Sequence, residues 1–155
     1  YTIIYFWDPE CGHCKKITPK LETLYKKKFK DRNVEIFAVG KAVGEEFGKW
    51  KKFVKDNSLT FINVAVTDPL YKAAMENANE FVPRYTTIES LNYQNTFDIF
   101  STPKVFVLDK DKKIIAKNIS ISQLEDMIDH LQGKKDVEKL FPPDPEEDEQ
   151  MQKTE

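Results

Sequence analysis

Two cysteines and two histidines are all that the 155 residues offer as soft metal ligands. A closed zinc site takes about four, and His130 is far along the chain from the other three, so a structural zinc module is a weak reading of this sequence. Long apolar runs are also missing. None approaches the roughly 20 residues that cross a bilayer, and no charged-then-apolar leader with a small-residue cleavage site opens the chain. It begins instead inside a strand-like run, which predicts that an upstream region has been removed. Net charge is small as well, at -2. The residues from Pro142 onward carry -5, leaving +3 for the remainder, so nothing calls for nucleic acid. The lysines of 26–28 and 49–52 fall in helical segments and read as solvated faces.

With 40% hydrophobic and 32% charged residues, the chain has the balance of one soluble domain with a core of its own. Residues 2–7 form a short buried strand, ended by Asp8-Pro9-Glu10. Ile17, Leu21, Leu24 and Phe29 recur at helical spacing after Cys11, and Pro19 within that helix predicts a kink. Residues 34–39 and 61–66 read as strands, with a helix over 45–56 between them. Asp68 is the expected N-cap of a helix opening with Pro69. Residues 80–95 lack periodicity, and 68–95 as a whole reads as an insertion. Strands over 104–108 and 113–116 flank a tight turn, and Ser120 or Ser122 starts a last helix that buries Leu124, Met127, Ile128 and Leu131 before Gly133. This order predicts an α/β domain over 1–133 with a mixed sheet and helices on both faces. Residues 134–155 form an acidic, proline-rich tail, expected to be disordered from 142.

The chemistry concentrates in Cys11-Gly12-His13-Cys14, both cysteines at a strand-to-helix junction. Unpaired amides at a helix N-terminus favour a thiolate on the first sulfur, while Cys14, one turn in, is less accessible. A fixed staple is the weaker alternative, because closing two residues contributes little by chain entropy. An imidazole at His13 favours the Cys11 thiolate and hence a more oxidising disulfide.

Taken together, Phe6-Trp7, Cys11-Gly12-His13-Cys14-Lys15, Pro19 and Thr102-Pro103 resemble the thioredoxin superfamily. The two helical segments between the second strand and Pro103 are most similar to its TlpA/ResA-like branch, the envelope thiol–disulfide proteins of bacteria. The likeness covers residues 1–131 and implies a thioredoxin-like fold whose usual N-terminal strand and helix are absent. It implies a thiol–disulfide oxidoreductase with Cys11 attacking and Cys14 resolving, acting on protein thiols and disulfides, with reduction as net direction. No metal or separate cofactor is implied, since the dithiol is the redox group. A cis Pro103 and the Thr102 backbone, with Gly12 and Trp7, are the implied substrate contacts, Trp7 reading either as a rim residue or as a core tryptophan at a strand end; His13 and Glu10 are the implied tuning groups. A membrane-bound thiol donor and a periplasmic or otherwise extracytoplasmic location also follow from the resemblance. Glu10 stands where the family commonly has tryptophan. Tyr5 stands where thioredoxins bury an aspartate that assists proton transfer, leaving Asp8 or Glu10 as candidate substitutes. The Gly-His dipeptide also occurs in protein disulfide isomerases, so an oxidase or isomerase is the alternative, and a non-catalytic binding module a third. Phe97, Ile99 and Phe100 read either as core or as an apolar docking surface.

Overall fold

The computed structural model describes residues 1–42, 44–91 and 93–153. Its five strands are β1 (Thr2–Trp7), β2 (Glu35–Gly40), β3 (Ile62–Ala65), β4 (Lys104–Leu108) and β5 (Ile114–Lys117). They form one sheet in the order β3-β2-β1-β4-β5. The pairs β1–β2 and β2–β3 are parallel, whereas β1–β4 and β4–β5 are antiparallel. The mixed sheet is therefore as the element order predicts: helical crossovers first, a tight hairpin last.

Strand alternation divides the apolar side chains between the two faces. Ile3, Tyr5 and Trp7 of β1 align with Ile36, Ala38 and Gly40 of β2. These join the larger core with α1 (Gly12–Leu24), α2 (Glu46–Asp56) and α6 (Ile121–Leu131). Phe6, Phe106 and Leu108 project the other way and meet Ile99 and Tyr93. That second face is covered by the chain leading into β4, including the single-turn helix α5 (Tyr93–Thr96). Gly40 sits where α2 crosses the end of β2. A Cβ there would stand 2.3 Å from the Trp50 indole, so only glycine allows the close approach.

Helix α1 runs through Pro19 to Leu24, continues as a π-helical turn over Tyr25–Phe29 and ends in a 3-10 turn, Lys30–Arg32. Asn33 closes it in the left-handed region. The insertion contains α3 (Asp68–Glu76), a 3-10 turn over Ala78–Glu80 and α4 (Ile88–Leu91). Thr67, not Asp68, is the residue capping α3, so the helix begins one position earlier than expected; the Asp68 side chain lies outside the described residues. Ser120 is the cap of α6 and forms a full capping box with Gln123. Ile121, Leu124 and Ile128 are its buried face, with Met127 partly buried and Leu131 exposed, against the expectation that Leu131 points inward.

The expected disordered tail is corrected. Residues Pro145–Gln152 form α7, with Met151 in the main core and Glu147 buried. The Glu147 carboxylate accepts the Ile121 amide at 2.7 Å and the Lys20 ammonium at 2.8 Å. It thus satisfies a free N–H at the start of α6 and ties it to α1. Composition alone sees six acids; it misses that Glu147 and Met151, four apart, share the face that meets the domain. Replacing Glu147 with alanine leaves the buried amide unpaired and is expected to lower unfolding free energy by about 1–3 kcal/mol. Glu149→Ala, on the exposed face, should change it by less than about 0.5 kcal/mol in the same urea titration.

Candidate active site

Strand β1 delivers the chain to the site and a tight turn reverses it into α1. The Asp8 carboxylate accepts the Glu10 amide at 2.7 Å, and the Asp8 carbonyl accepts the Cys11 amide at 3.1 Å. Cys11 is thereby placed as the N-cap of α1, in extended backbone conformation. Its sulfur accepts the Cys14 amide at 3.4 Å and donates to the Thr102 carbonyl at 3.3 Å. The Thr102–Pro103 peptide is cis, as expected, and Pro103 is buried at the head of β4. Residues 91 positions apart in sequence thus meet at one sulfur.

The two thiols are free and differ in setting. Cys11 is partly exposed, whereas Cys14 is fully buried in the main core. Burial pushes the Cys14 thiol up to about 12, against a smaller opposing effect of the Asp8 backbone amide; the neighbouring Cys11 raises it further. Beneath it Tyr5, also fully buried, lies stacked on Trp7 with ring centroids 6.4 Å apart. Thr18 donates to the Cys14 carbonyl at 2.7 Å, which uses its one hydroxyl proton. The Tyr5 hydroxyl, 2.9 Å from Thr18 Oγ1, is therefore the donor in that contact. Burial, followed by the nearby Cys14, raises the phenol well above its ordinary range, so it remains protonated. Thr18 escaped the sequence reading, although a hydroxyl four residues after Cys14 is the spacing that bonds back to a helical carbonyl.

Other expected site residues fall in unlike places. Gly12 and His13 are exposed on the first turn of α1, and a Cβ on Gly12 would meet nothing within 4 Å. Glu10 accepts from Lys49 at 3.0 Å and faces Lys15 at 3.9 Å. The Lys49 hydrogen bond holds its carboxyl below the usual range. Cys11, the Asp8 backbone and Thr102 act on Cys14, and Cys14 in turn acts on Tyr5. Trp7 takes the core alternative for its side chain, fully buried against Tyr5 and Phe53, while the residue also lines the cleft beside Thr102. Its side chain falls on the inner face because Trp7, Tyr5 and Ile3 share one side of β1. Ile99 is likewise core, while Phe97 and Phe100 are exposed.

Beside Thr102 opens a cleft of about 130 Å³, lined by Phe6, Asp8, Val39, Lys41, Ile99 and Phe100 among others. Tyr93 also lines it. That residue lay in the stretch without periodicity, where no sequence signal marked it.

The family model described as Thioredoxin-like matches residues 1–114. No curated protein sequence is detectably similar. Among solved structures, a domain of a possible thiol-disulfide isomerase from Cytophaga hutchinsonii is 30% identical, with TM-score 0.60 over 85% of this chain and 75% of that one. The thioredoxin domain of a thiol-disulfide oxidoreductase from Bacteroides vulgatus aligns at TM-score 0.62 and 20% identity, covering 84% and 77%. StoA from Bacillus subtilis aligns at 0.57 and 21%, covering 82% and 81%. The last two support the fold alone. Together with the strand order, the cis Thr102–Pro103 bond and the paired cysteines, these matches bear out the resemblance read from Phe6-Trp7, the dithiol, Pro19 and Thr102-Pro103: the chain belongs to the thioredoxin-like family.

Proposed function

We propose that the protein is a thiol–disulfide oxidoreductase that exchanges disulfides with protein substrates through Cys11 and Cys14, with reduction as its net direction. The observation that carries this reading is the asymmetry of the pair. Cys11 is accessible at a helix N-terminus with an amide on its sulfur, and Cys14 is held protonated directly behind it. In the first step the Cys11 thiolate attacks one sulfur of a substrate disulfide, and the other substrate sulfur leaves as a thiolate. In the second step Cys14 loses its proton and attacks Cys11 Sγ, which forms Cys11–Cys14 and releases the second substrate thiolate. Two electrons pass to the substrate, and the two protons of the dithiol end on the two substrate thiols. The dithiol is the redox group, so no metal or separate cofactor enters the scheme.

Several neighbours have defined parts in this scheme. The Thr102 backbone beside Cys11, held by Pro103, would pair with an extended substrate segment by strand addition. Gly12 leaves that approach open. His13 would adjust the stability of the Cys11 thiolate, and Glu10, clamped by Lys49, would set the local charge. Tyr5 and Thr18 fix the backbone of Cys14 without offering a base, so its proton passes toward the departing thiolate. Reduction is preferred as the net direction because the two helical segments between β2 and Pro103 resemble the TlpA/ResA-like layout. We assign the protein, by the same family reading, to an extracytoplasmic envelope compartment with a membrane-bound thiol donor.

A disulfide oxidase or isomerase is the second reading, favoured by Gly12-His13 and by the 30% identity to the domain of a possible thiol-disulfide isomerase from Cytophaga hutchinsonii. Equilibration with glutathione separates the two. A potential below about -240 mV supports the reductase, and one above about -200 mV supports the alternative. The purified protein should catalyse insulin reduction by dithiothreitol, with Cys11→Ser losing the activity; equal rates for the two proteins would rule out the dithiol mechanism. A third measurement probes Cys14 directly. In Cys11→Ser, alkylation of Cys14 should be slow at pH 7 and rise about tenfold per pH unit up to pH 10 without levelling, because the thiolate is the reacting form and its pKa lies higher. A plateau below pH 9, followed by mass spectrometry, would contradict the buried setting.

A further inference from the structure

We propose that Tyr5 and Thr18 are positioning residues for the second step of exchange: their hydroxyls hold Cys14 at the place from which it attacks the mixed disulfide. The proposal rests on the reading that Cys14 resolves a disulfide formed on Cys11, and it adds which groups set the rate of that step. Two hydrogen bonds in series carry it. The Tyr5 hydroxyl donates to Thr18 Oγ1 at 2.9 Å, and the Thr18 hydroxyl donates to the Cys14 carbonyl at 2.7 Å. Each hydroxyl has one proton to give, so the chain runs in one direction and ends on the backbone of Cys14, not on its sulfur.

The place of this chain in the fold gives it leverage. β1 is the central strand, and Tyr5 is paired there with Ala38 on one side and Val105 on the other. Its ring is fully buried and lies within 5° of parallel to Trp7, so the phenol oxygen is a fixed point. Helix α1 needs such a point next to Cys14. Pro19 brings no N–H to the Lys15 carbonyl, which opens the helical ladder one residue after Cys14. Thr18, itself fully buried, fastens the loosened turn to the sheet. Cys11 is held by other means. Its amide bonds the Asp8 carbonyl and its thiol bonds the Thr102 carbonyl, so the chain grips only the resolving cysteine. A sulfur that must close a bond to another sulfur tolerates little misplacement, because a shift of about 1 Å can cost about a hundredfold in rate.

The test is a single turnover of the reduced protein with one equivalent of dithiobis(nitrobenzoate), which reports both steps by colour. Attack by the Cys11 thiolate releases one thionitrobenzoate and leaves the other bonded to Cys11. Attack by Cys14 then forms Cys11–Cys14, releases the second, and gives the Cys14 proton to water. In Thr18→Val, which keeps the shape but lacks the hydroxyl, the second release should slow about tenfold while the first keeps its wild-type rate. Thr18→Ser, which keeps the hydroxyl and loses a methyl group, should stay within about twofold of wild type. Tyr5→Phe should slow the second release as Thr18→Val does, and the double variant no further, since both break one chain. The pH profile of the second release should be the same in every variant, because a chain that ends on a carbonyl takes no proton from the sulfur. A slower second release in Thr18→Ser than in Thr18→Val would show that packing alone matters, and would overturn the proposal. So would a second release unchanged in Thr18→Val or Tyr5→Phe, a first release slowed as much as the second, or a shifted pH profile, which would make the pair a proton relay. Each of these leaves the oxidoreductase reading intact, whereas a wild-type protein that releases only one thionitrobenzoate loses that reading too.

Discussion

The three-residue offset between a helix cap and the first inward-facing position of α1 makes Cys11 and Cys14 chemically unlike. Cys11 sits outside the helix with its sulfur over the free amide of Cys14. Cys14 points into the core beside Ile17, Leu21, Tyr5 and Trp7. Packing of α1 on the sheet therefore creates the difference in reactivity, since desolvation is what holds the second thiol protonated. Anything that loosens α1 from β1 would let water reach Cys14 and bring the two thiols closer in character.

Much of the remaining structure keeps α1 in place. Thr18 ties the Cys14 carbonyl to Tyr5 on β1. At the other end, Lys28 pairs with the fully buried Glu125 of α6, which also accepts the amides of Leu140 and Phe141. Arg32 bonds Asp129 at 2.6 Å and exchanges hydrogen bonds with Gln132. Such buried charges cost desolvation, and they are tolerated because each carboxylate is met by several donors. Their return is geometric: they fix α1, α6 and the segment after α6 in one arrangement. Glu147 and Met151 extend the same clamp to the tail.

The strands, the dithiol helix and the final hairpin were legible because their signals are local. Periodicity, Pro19, Ser120 and the turn after Leu108 each act within a few residues. Three readings turned on the tertiary arrangement. Trp7 read either as rim or as core until strand pairing put its side chain on the inner face with Tyr5. The tail looked disordered because its charge outweighs one methionine in any composition count, yet that methionine finds a place in the core. Leu131 fits the apolar stripe of α6 but lies at its exposed end.

By itself the sequence determined the chemistry and the order of elements. Only two cysteines are present, their spacing places them on one helical turn, and Thr102-Pro103 marks the strand that faces them. Tertiary structure decided what surrounds that pair. It buried Cys14, linked the Tyr5 phenol and the Thr18 hydroxyl to its backbone, and bound Glu10 to Lys49. It also assembled the cleft from β1, β2 and the approach to β4, segments far apart in the chain. A thiol's identity is written in one residue, but its pKa and its neighbours depend on which distant groups exclude water from it.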